Sequence, residues 1–152
     1  MPEQGNIFIG SSVHRWNDNR IFFKEAISLT RQYHVELHAP AEFKRKYIQG
    51  VEIYGLPWWT KESDRKAIRI ELWQRLKKSK TTIFHFHDPE LIWIGIKAKL
   101  ILRKKVIYDI HENVCATIMH KMWLNQIQKY LYSIAYKLLE YIIGFIFDHF
   151  IL

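Results

Sequence analysis

The sequence contains one cysteine, Cys115, in 152 residues. A single cysteine excludes the intrachain disulfide framework on which small secreted domains depend, so a reducing cytosol is the expected setting. The N-terminus also lacks a basic segment followed by an apolar run, and we therefore expect no signal peptide. These two absences favour a cytoplasmic location.

Glycine-rich phosphate loops are missing as well. Gly10 follows the first predicted strand, and two serines follow it where a dinucleotide-binding fingerprint would place further glycines. No Walker A sequence is present. Binding of NAD or ATP through either loop therefore has little support.

The chain is basic, with a formal net charge of +8. This charge favours anionic partners, which include nucleic acids, acidic membrane surfaces and phosphorylated substrates. The basic residues cluster at positions 44–46, 77–80 and 103–105, and such clusters are most often solvated faces. Because no nucleic-acid-binding motif accompanies them, we expect no nucleic-acid partner.

Strand-like and helix-like patterns alternate along the whole chain. Hydrophobic residues make up 49% of the sequence and charged residues 25%, which is typical of one folded domain. Alternating strands and helices favour right-handed βαβ units and a parallel sheet. We predict one Rossmann-like, doubly wound α/β domain over residues 1–152, with a mostly parallel sheet and helices on both faces. The predicted strands cover residues 6–9, 34–38, 51–54, 82–86 and 105–110.

The C-terminal region, residues 130–152, is strongly apolar and nearly long enough to cross a bilayer. It also contains four charged or titratable residues, and a charge inside a spanning helix costs roughly 2.5–3.5 kcal/mol. We therefore expect a buried helix over about residues 124–143, a break at Gly144, and a further strand from Asp148. A position on the membrane surface is the alternative, and a membrane span is the least favoured.

Polar residues follow three of the predicted strands, at positions 10–14, 85–90 and 109–113. In open parallel sheets, ligands bind outside the carboxyl ends of the strands. His85 and His87 are two residues apart and therefore share one face of their strand. His87 lies where the strand gives way to a loop, so its imidazole can contact a sugar hydroxyl. The alternative is that both histidines are satisfied core residues.

A metal site is a second possibility for the same residues. His85, His87 and Asp88, together with residues 111–112, offer nitrogen and oxygen ligands. Zinc hydrolases with a related pattern need another histidine after the aspartate, and residues 89–90 are proline and glutamate instead. We therefore expect no catalytic metal.

Three segments carry a resemblance to a known family. Residues 85–91 read His-Phe-His-Asp-Pro-Glu-Leu, and residues 105–112 read Lys-Val-Ile-Tyr-Asp-Ile-His-Glu. Together with residues 18–26, they resemble the N-terminal, acceptor-side domain of family 4 glycosyltransferases, which have the GT-B fold. In that fold, two Rossmann-like domains face each other across a cleft.

The resemblance implies a retaining transfer from a nucleotide-sugar donor, with no cofactor and no bound metal. The donor and its diphosphate would bind to a C-terminal domain that this chain lacks, so we predict that the chain alone transfers no sugar. The residue matching His87 would be catalytic and would contact the sugar. The other residues that the resemblance assigns to substrate binding are Gly10, Ser11, Arg20, Asp88, Glu90, His111 and Glu112.

The expected acceptor is a saccharide or a lipid phosphate in cell-surface polysaccharide synthesis. Peripheral association with the inner face of the cell membrane would suit the basic charge and the apolar C-terminal region. Arg20 could face an anionic group of the acceptor, or it could be an ordinary surface or capping arginine. A non-catalytic binding module with the same fold is the alternative function.

Overall fold

The computed structural model describes residues 5–110 and 114–151, and these residues form one seven-stranded sheet with helices on both faces. The strands are β1 (Gly5–Gly10), β2 (Tyr33–Pro40), β3 (Arg45–Ile48), β4 (Val51–Leu56), β5 (Ile83–Phe86), β6 (Lys105–Asp109) and β7 (His149–Ile151). The helices are α1 (a π-helix, Asn19–Ala26, continued by the α-helical turn Ile27–Leu29), α2 (Glu62–Lys78), α3 (Ile92–Leu100), α4 (Val114–Met119) and α5 (Gln126–Ile146). A short 3₁₀ turn, Pro89–Leu91, leads into α3.

The strand order is β3-β4-β2-β1-β5-β6-β7, and every pairing except that of β3 with β4 is parallel. The chain moves outward from β1 through β2 to β4 and then returns through α2 to β5, on the other side of β1. The order therefore reverses between β1 and β5, which is the switch point where doubly wound sheets bind ligands. The prediction of a Rossmann-like, mostly parallel α/β domain is confirmed.

Side chains alternate between the two faces of the sheet and form two hydrophobic cores. On one face, Phe8, Phe84 and Tyr108 are fully buried and pack beneath helices α2, α3 and α5. On the other face, Ile9 and Leu37 are buried against α1. By the same alternation, the side chains at alternate positions of β5 and β6, including His85 and Asp109, lie on the face that α1 covers.

Strand β3 is an element that the sequence did not predict. It pairs antiparallel with β4 at the edge of the sheet, and two of the basic residues at positions 44–46 belong to it. Charged side chains protect such an edge from pairing with another chain. The backbone just before β3 lies close to β4, because a Cβ atom on Gly55 would overlap the carbonyl oxygen of Phe43.

Helix α5 differs from the buried helix that we expected. Its range extends through Gly144 to Ile146, so the predicted break is wrong. A glycine inside a helix costs only about 1 kcal/mol and does not by itself end the helix. Only Ile143 is fully buried, because a single stripe of α5 reaches the sheet while apolar residues occupy its other sides. The predicted final strand is confirmed as β7.

The hydrophobicity of α5 is not sufficient for a membrane span. Within residues 5–110 and 114–151, none of the helices combines the length and the apolar character that crossing a bilayer requires.

Candidate functional site at the carboxyl edge of the sheet

The carboxyl ends of β1, β5 and β6 bring the predicted site residues together. Gly10 is paired with Phe86, and Phe86 is paired with Tyr108. Because the three strands are parallel, the residues that follow these positions leave the sheet at the same edge. The structure places positions 10–11 and 87–88 at this edge, whereas His111 and Glu112 lie outside the described residues.

The first polar group at this edge, which we call the Asp88 network, consists of Ser11, Ser12, Asp88 and Glu90. The Oδ2 atom of Asp88 accepts hydrogen bonds from Ser11 Oγ at 2.9 Å and from Ser12 N at 2.6 Å. Ser12 Oγ also contacts this oxygen at 3.2 Å. Both serines are 0% exposed and Asp88 is 3% exposed. A buried carboxylate with several donors is well satisfied, so Asp88 fixes the turn after β1 to the turn after β5.

Glu90 connects this network to helix α2. One of its carboxylate oxygens accepts from Ser12 Oγ at 2.5 Å. The other lies 2.5 Å from the guanidinium of Arg65 and 3.2 Å from that of Arg69. All three of these charged side chains are partly exposed, so they are within reach of a ligand as well as of each other.

A cavity of about 240 Å³ opens beside Glu90. Its charged wall can hydrogen-bond to hydroxyl groups, and the rest of its lining is apolar except for Thr117. Pockets for drug-sized ligands have volumes of roughly 300–1,000 Å³, so this cavity suits one sugar residue better than an extended ligand. The lining residues are Val13, Arg65, Asp88, Pro89, Glu90, Val114 and Thr117.

Gly10 and Ser11, which we expected on a cleft floor, are buried beneath this edge. A Cβ atom on Gly10 would lie 3.1 Å from the ring of Phe84, so the glycine allows close packing between β1 and β5. Ser11 Oγ donates to Asp88 and accepts from His14 N at 2.9 Å. The contacts observed for both residues are internal, and their contact with a substrate stays a prediction.

The second polar group, the histidine–carboxylate cluster, consists of Glu25, His85, His87 and Asp109. His87 Nε2 lies 2.6 Å from Glu25 Oε2 and 3.6 Å from Asp109 Oδ2. The rings of His85 and His87 have their centroids 4.7 Å apart, which confirms that the two histidines share a face. The side chains of His87 and Asp109 are 0% exposed. A sugar could contact His87 directly only if the ring were uncovered.

Helix α1 supplies Glu25 and places Arg20 over the cluster. Asp18 caps the helix, because its Oδ1 atom accepts from the backbone N–H groups of Arg20 and Ile21. In a π-helix, residues five apart lie one turn apart, and Arg20 Nε donates to Glu25 Oε1 at 3.0 Å. A terminal nitrogen of Arg20 also contacts both carboxylate oxygens of Asp109, at 2.6 and 2.8 Å. The Arg20 side chain remains 40% exposed.

Burial and neighbouring charges shift the pKa values in this cluster in opposite directions. Burial, assisted by the neighbouring His87, lowers the pKa of His85 to about 4, so this imidazole is neutral at pH 7. Burial and the hydrogen-bonded carboxyl group of Glu25 raise the pKa of Asp109. Burial lowers the pKa of Arg20, but its bonds to Glu25 and Asp109 outweigh burial and raise it.

Sequence reasoning missed Glu25, although a signal for it exists. Glu25 lies three residues after Phe22 and one before Ala26, and both of these apolar residues are buried on the face of α1 that meets the sheet. A carboxylate in that stripe indicates a polar partner inside the domain. The metal site considered from the sequence also included Asp88. In the structure, Asp88 belongs to the Asp88 network and not to the histidine–carboxylate cluster.

No protein-family model matches the sequence, and a search of the curated proteins also finds no match. The resemblance to family 4 glycosyltransferases, and the roles that it implies for individual residues, therefore stay predictions. The structure itself shows a Rossmann-like α/β domain with two polar networks at one edge.

Proposed function

We propose that this chain is the acceptor-side half of a retaining glycosyltransferase that uses a nucleotide-sugar donor. The observation that supports this function is the 240 Å³ cavity beside Asp88 and Glu90, at the carboxyl ends of β1 and β5. It lies at the switch point of the sheet, where such folds place ligands. Its charged side chains are of the kind that bind sugar hydroxyl groups, and the resemblance implies the same chemistry.

The groups that face the acceptor in this proposal are those that remain accessible at the edge. Glu90 and Arg65 accept and donate hydrogen bonds from one side of the cavity, and the exposed part of Arg20 offers a positive charge to an anionic acceptor group. His87 keeps its predicted sugar contact only if it is uncovered. If it stays buried, its role is to hold α1 against the sheet through its hydrogen bond with Glu25.

The chain by itself transfers no sugar under this proposal. Departure of a nucleoside diphosphate develops negative charge, and stabilisation of that charge is usually the largest catalytic contribution. The groups that would provide it belong to the donor-binding domain. No metal or cofactor is assigned to the transfer step, in line with the resemblance.

The surface of α4 and α5 supports a lipid-linked acceptor at the inner face of the cell membrane. Lys121, Lys129 and Lys137 are accompanied by a single acidic residue, Glu140, over positions 114–147. Tyrosine and tryptophan suit the interface between lipid and water, and each basic residue adds about 1 kcal/mol of attraction to an anionic surface. The exposed apolar residues of this surface are Met119, Met122, Trp123, Ile127, Tyr130, Leu131, Tyr132, Ile134, Leu138, Tyr141, Ile142 and Phe145.

Binding of the chain to an array of immobilised saccharides tests the acceptor site. A charge-assisted hydrogen bond contributes about 1.5–3 kcal/mol, so we expect Glu90→Gln to weaken binding about tenfold or more. Glu71→Gln is the matched control, because Glu71 also pairs with an arginine of α2 but lies outside the cavity. Absence of saccharide binding, or equal binding by both variants, would contradict the proposal.

Flotation with anionic vesicles at low salt tests the lipid-linked acceptor separately. We expect the wild-type chain to float with the vesicles and the double variant Lys129→Glu/Lys137→Glu to remain in solution. The control is Lys77→Glu/Lys78→Glu, which makes the same charge change at the end of α2. If the wild-type chain does not float with the vesicles, the proposed membrane association is contradicted. The proposed saccharide site does not depend on this result.

A non-catalytic binding module is the second candidate, and one observation favours it. The predicted substrate-binding groups are largely paired within the domain: Asp88 with two serines, Glu90 with two arginines and Arg20 with two carboxylates. A site organised for structure alone would look similar. Failure of the saccharide array, together with retention of the fold, would favour this candidate.

A further inference from the structure

The histidine–carboxylate cluster contains a buried nitrogen whose hydrogen-bonding capacity is unmet. His85 is 3% exposed, and its Nε2 atom has no hydrogen-bond partner within the part of the chain that the structure describes. Glu25 Oε2, at 4.0 Å, is beyond hydrogen-bonding distance. A buried polar atom without a partner costs about 1–3 kcal/mol and requires an explanation.

The surroundings of this nitrogen are unusually rich in atoms that can bind a metal. His85 and His87 each offer an imidazole nitrogen, while Glu25 and Asp109 each offer a carboxylate oxygen. All four atoms lie within 4.8 Å of one another. The donors come from α1, β5, β6 and the residue after β5, so the fold itself brings them together.

The distances fit a four-coordinate ion. Zinc binds histidine nitrogen and carboxylate oxygen at about 2.0–2.2 Å, which places neighbouring ligands of a tetrahedron about 3.4 Å apart. The separations in the cluster are 2.6 Å for His87–Glu25, 3.6 Å for His87–Asp109 and 4.0 Å for His85–Glu25. These values lie on both sides of the tetrahedral value, and the widest separation among the four atoms is at most 4.8 Å. An ion would therefore require that His87 and Glu25 move apart and that the wider pairs move closer.

We propose that the histidine–carboxylate cluster binds one divalent transition-metal ion of the zinc type. Two imidazole ligands favour zinc and its neighbours over calcium or magnesium, which prefer oxygen ligands throughout. Binding would supply His85 Nε2 with the partner that it lacks.

Arg20 fits the site as an outer partner. It contacts both oxygens of Asp109, and outer-shell groups of this kind orient ligating carboxylates. With neutral imidazoles, the two carboxylates and the guanidinium carry a formal charge of −1, which attracts a cation.

Four protein ligands make a closed site, and closed sites are structural rather than catalytic. The ion would fasten α1 to the ends of β5 and β6 and so hold Arg20 at the edge of the sheet. An ion on His87 would exclude a direct sugar contact by that ring, but the saccharide cavity beside Glu90 does not include any of the four ligands. A structural ion is compatible with a sugar transfer that uses no metal.

Cobalt(II) titration of the chelator-treated wild-type chain tests the proposal. We expect saturable uptake of one Co²⁺ per chain, with the intense visible bands of a four-coordinate ion, and displacement of Co²⁺ by Zn²⁺. Loss of an outer-shell group typically weakens metal binding roughly 10–100-fold, and we therefore expect loss of a ligand in His85→Phe to weaken it at least 100-fold. The matched control is His38→Phe, since His38 is also a buried histidine with an unpartnered nitrogen but lies outside the cluster.

Imidazole nitrogen NMR of the wild-type chain gives an answer that does not depend on how the variants fold. We expect Zn²⁺ to shift the ring nitrogens of His85 and His87 and to leave those of His38 unchanged. The proposal is overturned by an absence of stoichiometric uptake, by equal uptake in the wild type and His85→Phe, or by ring-nitrogen shifts at other histidines only.

Discussion

The two polar networks at the carboxyl edge of the sheet use similar residues but differ in how completely their atoms are satisfied. In the Asp88 network, hydroxyl and backbone N–H donors surround one buried carboxylate. In the histidine–carboxylate cluster, two imidazoles and two carboxylates meet, and His85 Nε2 has no partner within the described residues. The first network therefore holds two turns together with its carboxylate satisfied, whereas the second contains a buried ring nitrogen that lacks a partner among the described residues.

The largest expected effect is that of removing the buried carboxylate of the Asp88 network. Asp88→Ala leaves Ser11 Oγ and Ser12 N without their acceptor, so we expect the free energy of unfolding to fall by about 2–4 kcal/mol. Urea unfolding followed by circular dichroism measures this change. Glu42→Ala is the control, because its carboxylate is 70% exposed, and it should change stability by less than about 0.5 kcal/mol. Equal losses of stability in the two variants would show that the Asp88 carboxylate contributes no more than an exposed carboxylate.

A smaller effect is expected from a single donor of the same network. Ser12 Oγ contacts both Asp88 and Glu90, and we expect Ser12→Ala to lower the free energy of unfolding by about 1 kcal/mol. The same substitution at Ser28, whose hydroxyl bonds to the backbone on the exposed side of α1, should have almost no effect. A loss at Ser12 no larger than the loss at Ser28 would show that the turns are held by other contacts.

His38 is a buried histidine that lies outside both networks, and we expect its substitution to have only a small effect. The ring of His38 stacks on Phe8 and Tyr54, with centroids 3.9 and 4.6 Å away. Burial lowers the pKa of His38, although Glu36 opposes this effect. The unfolded chain therefore binds a proton at this position more readily than the folded chain does, and stability is lost as the pH falls below about 6.5.

Unfolding measurements between about pH 7 and pH 5.5 test this direction, because this window lies near the ordinary pKa of histidine. We expect His38→Phe to reduce the loss of stability across the window, since the substituted chain has one buried histidine fewer to protonate. His120→Phe, at an exposed position, should leave the pH dependence unchanged. A steeper pH dependence in His38→Phe would contradict the assigned direction.

The overall fold was predictable because the sheet is buried on both faces. Its strands are short apolar runs, and the helices between them show apolar residues at helical spacing. Strand β3 was not predictable in this way, because its sequence, Arg-Lys-Tyr-Ile, lies on an edge and has no buried face. The exposure of α5 was not predictable either, since an apolar sequence does not reveal how many neighbours surround it.

The candidate site was predictable in part. Residues next to the strand ends, such as His87 and Asp88, could be located because the chain order and the parallel sheet fix the edge at which they lie. Their partners could not, because Glu25 reaches the cluster from a helix distant in sequence. The sequence also did not separate His87 from Asp88, which are neighbours in the chain but belong to different networks.

The proposed function depends on saccharides binding at the carboxyl edge of the sheet. Amide chemical-shift mapping of the ¹⁵N-labelled chain, titrated with a panel of monosaccharides and disaccharides, measures this directly. We expect shifts concentrated at residues 11–14 and 87–91, around the cavity beside Glu90. Shifts confined to the opposite edge, at residues 5–6, 82–83 and 104–105, or an absence of shifts with every saccharide, would contradict the assignment.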